Sequence, residues 1–301
     1  MNSPKQTHYG HVVIAGRPNV GKSTLMNRIL GVHLAATTPK PQTTRNRILG
    51  IHTDKSTQIV FVDTPGIHSN YKGLLNSRLN KTAITSLSEG DAIVFMIEVG
   101  KWKKEDEHVL TFLSKEKAPI ILVVNKIDKV KSKETLLPFL EKLQGQYPFS
   151  EIIPVSAFSE ESVGYLLKQL TQYIPPGPFQ YAEDEITDRS MRFVAAEMVR
   201  EQLTQILKDE LPYTLAVTIE EYTESDERVE ISAVIYVSTE SQKRIVIGKQ
   251  GKVLKQAGTK ARQRIAGILG QRVHLNLWVK VKSGWMDNPR MLDQLNFDAG
   301  K

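Results

Sequence analysis

The 301-residue chain is 40% hydrophobic and 24% charged, holds no cysteine and carries a net charge of +7. This suits a globular chain long enough for two domains. It excludes disulfides, thiolate metal sites and cysteine nucleophiles, which fits a reducing cytosol. The seven histidines have no metal-ligand spacing. The N-terminal MNSPKQTHYG lacks an apolar core, so no signal peptide is expected. The longest apolar runs have strand length, too short for a membrane span. Charge is unevenly spread: residues 177–242 hold five Lys/Arg against fifteen Asp/Glu, whereas residues 243–290 hold twelve against one. Such asymmetry points either to a polyanion site or to a solvated basic face.

In chain order, the apolar run Val12, Val13, Ile14 ends in Gly16, and Gly21-Lys22-Ser23-Thr24 opens an amphipathic run through Leu25, Ile29 and Leu30. Strand, loop and helix start thus surround a G-x-x-x-x-G-K-[ST] pattern. Glycine permits backbone N–H groups to form a concave anion nest, and the helix N-terminus adds its free N–H groups. Gly16, Arg17, Pro18, Asn19, Val20, Gly21, Lys22, Ser23 and Thr24 are the candidate phosphate loop. In it Lys22 reaches the β/γ-phosphates and Ser23 offers a hydroxyl to Mg²⁺. Gly31 is a plausible C-cap. The stretch from Ala35 to Arg47 is a polar loop rich in Thr and Pro. It is either an ordinary surface loop or a mobile one whose Thr44, or Thr43, closes over Mg²⁺ and the γ-phosphate.

Strands follow at Ile48–His52 and Gln58–Val62, the second running into Asp63-Thr64-Pro65-Gly66. Asp63 suits a Mg²⁺ ligand through water, and Gly66 can bring a backbone N–H to a γ-phosphate. A helix is expected over Lys72–Leu87, a buried strand over Ala92–Ile97, a charged helix over Lys103–Ser114 and an apolar strand over Pro119–Val124. That strand ends in Asn125-Lys126-Ile127-Asp128. A carboxylate at Asp128 accepts from guanine N1–H and the 2-amino group, and adenine would leave it unpaired; such a site discriminates on the order of 10⁴-fold. Lys126 lies along the base and braces the phosphate loop. After a strand at Glu151–Val155, the backbone of Ser156-Ala157 can reach guanine O6; a helix from Glu160 to Tyr173 closes the unit.

Most of these motifs lie where an open α/β sheet binds ligands, at the C-terminal ends of strands. The pattern resembles a small GTPase domain. It departs from Ras-type enzymes at Ile67, which stands where they have the Gln that orients water. No catalytic side-chain base is identified, and slow intrinsic hydrolysis is expected. In related GTPases an Asn at the position of Asn19 ligates potassium; here it is either that ligand or a turn residue.

Ile174-Pro175-Pro176-Gly177-Pro178 reads as a stiff linker. A long helix follows, N-capped by Thr187 or Asp188, with Ala195, Val199, Leu203 and Ile206 as its apolar stripe. Strands are expected at Thr214–Glu220 and Glu230–Val237. Then Ile247-Gly248-Lys249-Gln250-Gly251-Lys252 forms a G-x-x-G loop before a basic helix bearing Lys255, Lys260, Arg262 and Arg264. A second match, Gly267 to Gly270, has an apolar centre. The first has the makings of a KH loop, which clamps about four nucleotides of single strand. The last strand, Val273–Lys282, alternates, with His274, Asn276, Trp278, Lys280 and Lys282 outward. Trp278 and the two lysines are RNA-contact candidates, though an exposed strand face is the better reading of Trp278.

Together GRPNVGKST, QTTR, DTPGI, NKID, SA, ITDRS, VIGKQG and LWVKVKSGW resemble the Era family of bacterial GTPases over essentially the whole chain. The resemblance implies an α/β P-loop GTPase domain, a mostly parallel sheet flanked by helices, followed by a smaller α+β KH domain of type II, αββααβ. The expected divisions are a GTPase domain at 1–176, a linker and first helix start at 177–190, a KH domain at 187–290 and a tail at 291–301. It also implies a monomer using GTP/GDP and Mg²⁺, and K⁺ if Asn19 is a ligand. Expected partners are the 3′ end of 16S rRNA and the small ribosomal subunit, in the cytoplasm with peripheral contact at the membrane's inner face. The alternatives are an RNA-modification GTPase and a membrane-associated regulatory GTPase. The first lacks a second cofactor motif and the second a C-terminal prenylation box.

Overall fold

The computed structural model describes residues 6–40, 43–67, 73–130 and 132–295. The elements, in order, are β1 (His8–Ala15), α1 (Lys22–Leu30), β2 (Ile48–Asp54), β3 (Thr57–Asp63), α2 (Leu74–Thr85), β4 (Ala92–Glu98), α3 (Lys104–Leu113), β5 (Ile120–Asn125), α4 (Leu136–Gln144), β6 (Glu151–Val155) and α5 (Glu160–Leu170). The second half adds α6 (Met191–Ile206), β7 (Ala216–Glu224), β8 (Val229–Val237), α7 (Glu240–Ile247), α8 (Lys252–Leu269), β9 (Val273–Val281) and α9 (Pro289–Gln294). Lys72, the expected start of the second helix, lies outside the described residues. Helix α4 was not anticipated. Its sequence, LLPFLEKLQ, is apolar on one side, but a proline at its third position masks the pattern.

The first six strands form one sheet in the order β2-β3-β1-β4-β5-β6, antiparallel only at β2/β3. Both faces are covered, so β4 and β5 are apolar at nearly every position and buried throughout. The pleat sends Val12 and Ile14 of β1 to the layer under α1 and α5, and Val13 and Ala15 to the layer under α2, α3 and α4. The loops at the C-terminal ends of the five parallel strands therefore open on one side of the sheet, and that of antiparallel β2 opens on the other.

The linker does not hang free. Gly177 N–H donates to Thr7 O (3.0 Å), Gln58 Oε1 accepts from the N–H groups of Gln180 and Tyr181 while its Nε2 donates to Tyr181 O, and Ile51 N–H donates to Ile186 O (2.9 Å). It thereby covers the open edge of β2. Thr187, expected as a helix cap, donates to Leu49 O (2.7 Å) instead, and Ser190 caps α6 by accepting from Phe193 N–H.

The C-terminal unit is a three-stranded sheet, β7-β8-β9, antiparallel then parallel, packed on α6, α7 and α8. Helix α9 spans the expected 290/291 boundary. With the turn before it, α9 folds back on α2 of the first unit: Trp285, Leu292 and Leu295 bury against Leu75 and Leu79, and Arg78 pairs with Asp293. No helix among the described residues is long and apolar enough to cross a membrane.

Trp285 has no exposed surface. Trp285→Ala should destabilise the chain by about 3–5 kcal/mol, read as a lower urea midpoint, with the loss concentrated where α9 meets α2.

Candidate nucleotide site and GxxG loop

The phosphate loop closes because β1 ends against β4. Gly16 (φ 150°) leaves no room for a side chain, since a Cβ would stand 2.5 Å from Met96 O. Gly21 (φ 108°) likewise abuts the Asn125 carboxamide. Asn125 ties this seam together: its Nδ2 donates to Val20 O (2.8 Å), and its Oδ1 accepts from Ala157 N–H (3.1 Å). The Ala157 N–H, expected at the base edge, is thus engaged with the strap that joins base and phosphate motifs. Lys22 is buried and donates to Gly16 O (3.1 Å) and Arg17 O (3.2 Å). Burial pulls its ammonium down to about 8, with Asp63 acting in the opposite sense.

Three oxygen-bearing side chains converge beside it. Ser23 Oγ lies 2.7 Å from Asp63 Oδ2 and 2.7 Å from Thr44 Oγ1, and Thr44 Oγ1 donates to Asp63 Oδ2 at 3.3 Å. Asp63 has no exposed surface, and its Oδ1 has no partner. Burial raises its pKa, opposed by Lys22, Ser23 and Thr44. Two hydroxyls and a carboxylate with a spare lone-pair oxygen form a hard donor set that suits Mg²⁺. Of the two candidate threonines it is Thr44 that faces this cluster; Thr43 Oγ1 bonds to Thr38 Oγ1 and Lys40 O. Thr64 anchors its own segment to Ile14 O (3.0 Å), while Pro65 and Gly66 continue past Pro18, whose ring a Cβ on Gly66 would meet at 2.8 Å. Ile67 is fully buried in the sheet layer with Val13 and Val62.

At the base end, Ser156 Oγ donates to Asp128 Oδ1 (2.6 Å), and Lys126, at φ 67°, donates to Asn19 O (2.8 Å) and pairs with Glu98 (3.3 Å). Ile127 opens a single helical turn that carries Asp128. Asn19, at φ 64°, donates to Pro39 O (2.8 Å). Arg17 was expected among the phosphate contacts, but its guanidinium turns away to Asp106 (3.1 Å) and Glu98 (3.8 Å). Neither acid belongs to a recognisable motif, so sequence gave no signal for them.

The G-x-x-G loop joins α7 to α8. Positive φ recurs at Gly248 (75°), Gln250 (54°) and Gly251 (73°). A Cβ at Gly248 would collide with Val253, whereas Gly251 faces open space. Ile247 ends α7, and Lys249, Lys252 and Lys255 lie around the loop and the first turns of α8. A groove beside it runs between α8 and β9, floored by Leu275 and Leu277 and edged by Lys255, Thr259 and Arg262. Leu275, Leu277 and Thr259 were not singled out from the sequence because only the packing of β9 on α8 brings them to the loop, where they join Arg262 of the basic helix. Trp278 and Lys280 point to the opposite face of the sheet, where Lys280 pairs with Glu220 (2.7 Å). Arg264, counted above with the basic helix, is turned toward Glu201 and His33.

The fold and these sites define a P-loop GTPase domain joined to a KH domain. A family model described as 50S ribosome-binding GTPase matches residues 11–126, and a KH domain model matches residues 210–286. The chain is 47% identical over 294 residues to a GTPase Era of Coxiella burnetii, covering 98% of this chain and 99% of that protein. It is 44% identical to a GTPase Era of Pseudomonas syringae, covering 99% of each. A solved structure of Era in complex with MgGDPNP and nucleotides 1506–1542 of 16S ribosomal RNA superposes with a TM-score of 0.93 at 38% identity, covering 97% of this chain and 99% of that one. An Aquifex aeolicus Era variant bound to GDP·AlF4⁻ superposes equally well. The chain belongs to the Era family of GTPases.

Gly66→Ala tests the close approach to Pro18. The methyl forces this peptide back, so affinity for a non-hydrolysable GTP analogue should fall about tenfold or more, the worth of one hydrogen bond to a charged group. GDP affinity should stay within about threefold, as expected where the Gly66 N–H serves the γ-phosphate alone. Equilibrium titration of both nucleotides checks this.

Proposed function

We propose that the protein is a guanine-nucleotide switch that grips single-stranded 16S rRNA near its 3′ end and assists assembly of the small ribosomal subunit. The carrying observation is that one loop touches both halves. Thr44 meets Ser23 and Asp63 of the GTPase domain, while its neighbours Thr43 and Arg45 bond to the KH domain. Nucleotide state at one end is thereby coupled to the attitude of the RNA clamp at the other. The relative solved with MgGDPNP and 16S rRNA nucleotides supports the same reading.

In this reading residues 16–24 hold the phosphates, and Ser23 and Thr44, with Asp63 through water, hold Mg²⁺. When bound, that ion neutralises charge on the β- and γ-phosphates. Residues 63–67 form the second switch segment, with the Gly66 N–H directed at the γ-phosphate. Asp128 reads the guanine edge, Lys126 lies under the base, and Ser156 and Ala157 shape the pocket wall. Ile67 has no side-chain donor or acceptor, so the attacking water is positioned by backbone, by another residue or by a partner, and intrinsic hydrolysis is slow. The GTPase domain spans 1–176 and the KH domain begins at the N-terminus of α6 and ends with α9. RNA is held by Gly248, Lys249, Gln250 and Gly251, with Lys252 and Lys255 neutralising phosphates; these lysines belong to the stretch 243–290, where twelve Lys/Arg stand against one acid. The protein works as a cytoplasmic monomer, and its contact with the membrane's inner face is peripheral.

Binding of the purified protein to the 3′-end single strand, with a GTP analogue and with GDP at one fixed salt concentration, tests this. Tighter binding with the analogue, lost in Lys249→Asp, is expected. Equal binding in both nucleotide states would remove the gating. Asn19 supplies a separate check: with a potassium ligand there, hydrolysis should run faster in KCl than in NaCl, and equal rates would leave Asn19 as a loop-closing residue only.

A further inference from the structure

The loop that carries Thr44 is held from behind by the KH domain. Arg45, immediately after Thr44, is 2% exposed; its guanidinium crosses the domain seam and donates to Leu215 O (2.6 Å) and Pro212 O (2.8 Å). On the other side of Thr44, Thr43 O accepts from Arg200 of α6, itself fixed by Glu197. Further back, Glu201 of α6, with no exposed surface, accepts from Thr37 N–H and Thr37 Oγ1 (both 3.2 Å) and from His33 (2.8 Å). Arg264 of α8 completes its shell. Lys40 donates to Leu207 O.

These contacts hold or fail together. A buried guanidinium or carboxylate is tolerable only while its bonds are made, and removing one partner strands the other. The loop is therefore held most firmly at Arg45, Arg200 and Glu201, whose charges are buried. While it is docked, Thr44 Oγ1 is kept against Ser23 and Asp63. The KH domain thus contributes to nucleotide selection without touching the nucleotide.

We propose that Arg45, Arg200 and Glu201 are positioning residues for GTP. They fix the Thr44 loop from the KH side and so raise affinity for GTP relative to GDP. This rests on the reading of Thr44 as a ligand of the γ-phosphate and its Mg²⁺. Because coupling is reciprocal, GTP favours the docked KH arrangement by the same factor.

The test is the ratio of affinities for a non-hydrolysable GTP analogue and for GDP, at saturating Mg²⁺, in full-length Arg45→Ala and Glu201→Gln. Each should lower analogue affinity by about tenfold, in the usual range for coupled sites, with GDP affinity within about twofold. Thr44→Ala should lower the ratio too, and adding Arg45→Ala to it should cause no further loss, since both act through one group. If Arg45→Ala does not fold, Glu201→Gln, nearly the same shape, carries the test. Equal weakening of both nucleotides would make these residues structural and overturn the proposal. So would an unchanged ratio in the two variants while Thr44→Ala lowers it. An unchanged ratio in Thr44→Ala itself would instead overturn the role given to Thr44.

Discussion

A carboxylate with no exposed surface stands at the end of β3, and the architecture is arranged to make it tolerable. Asp63 has left water entirely, a change that costs several kcal/mol unless other groups compensate. Ser23 from the helix start, Thr44 from the following loop and Lys22 from the phosphate loop supply that compensation. Three segments far apart in the chain must therefore meet at one strand end. One carboxylate oxygen has no hydrogen-bond partner among the described residues, an acceptor available to the magnesium ion that the proposed function assigns here. A group held in this condition is suited to a switch, because its environment changes when a cation and phosphates arrive.

The same economy governs the rest of the pocket. Asn125 spans the seam between phosphate loop and base motif, so a glycine is required opposite it at position 21. Lys126 ties the base motif to Asn19 O and to Glu98, and Glu98 reaches Arg17. Base and phosphate recognition are thereby mechanically one unit. Two of these links are short hydrogen bonds, Asn125 to Val20 O and Lys126 to Asn19 O (both 2.8 Å), and the Glu98–Arg17 pair is longer (3.8 Å).

Charge inside the domain seam is the second feature of consequence. Helix α6 is buried on nearly every side between the GTPase domain and its own sheet, yet it carries Glu197, Arg200 and Glu201. These acidic and basic groups are matched by Arg45, His33 and Arg264 from neighbouring elements. Burial alone would raise the Glu201 pKa, but His33 and Arg264 outweigh it and keep the carboxylate ionised. Ionic seams depend more on geometry than apolar ones. They favour one docked arrangement, with intermediate ones losing bonds without gaining water. Behind the seam, α9 fastens the far end of the KH domain to α2, just after the second switch segment. The Thr44 loop and the helix that follows the Asp63 segment thus both touch the C-terminal unit.

Much of this was legible in the sequence because it is local. A phosphate loop needs glycines at fixed spacing between a strand and a helix, and a G-x-x-G turn needs positive φ at its ends; such constraints act over a few residues and leave a pattern. The alternation of β9 and the apolar runs of β4 and β5 record burial in the same short-range way. The sequence by itself therefore determined the two-domain class, the guanine and phosphate motifs and the basic loop. Only the tertiary structure decided what the polar residues of α6 do, because a charged helix face reads alike whether it meets water or a matched surface. It also turned Arg17 and Arg264 away from the ligand surfaces their position suggested, toward acids that no motif marks. The linker was legible as a break in helix but not as a cover for the edge of β2. Each of these outcomes depends on partners more than 60 residues distant in the chain, and sequence pattern holds no record of such pairings.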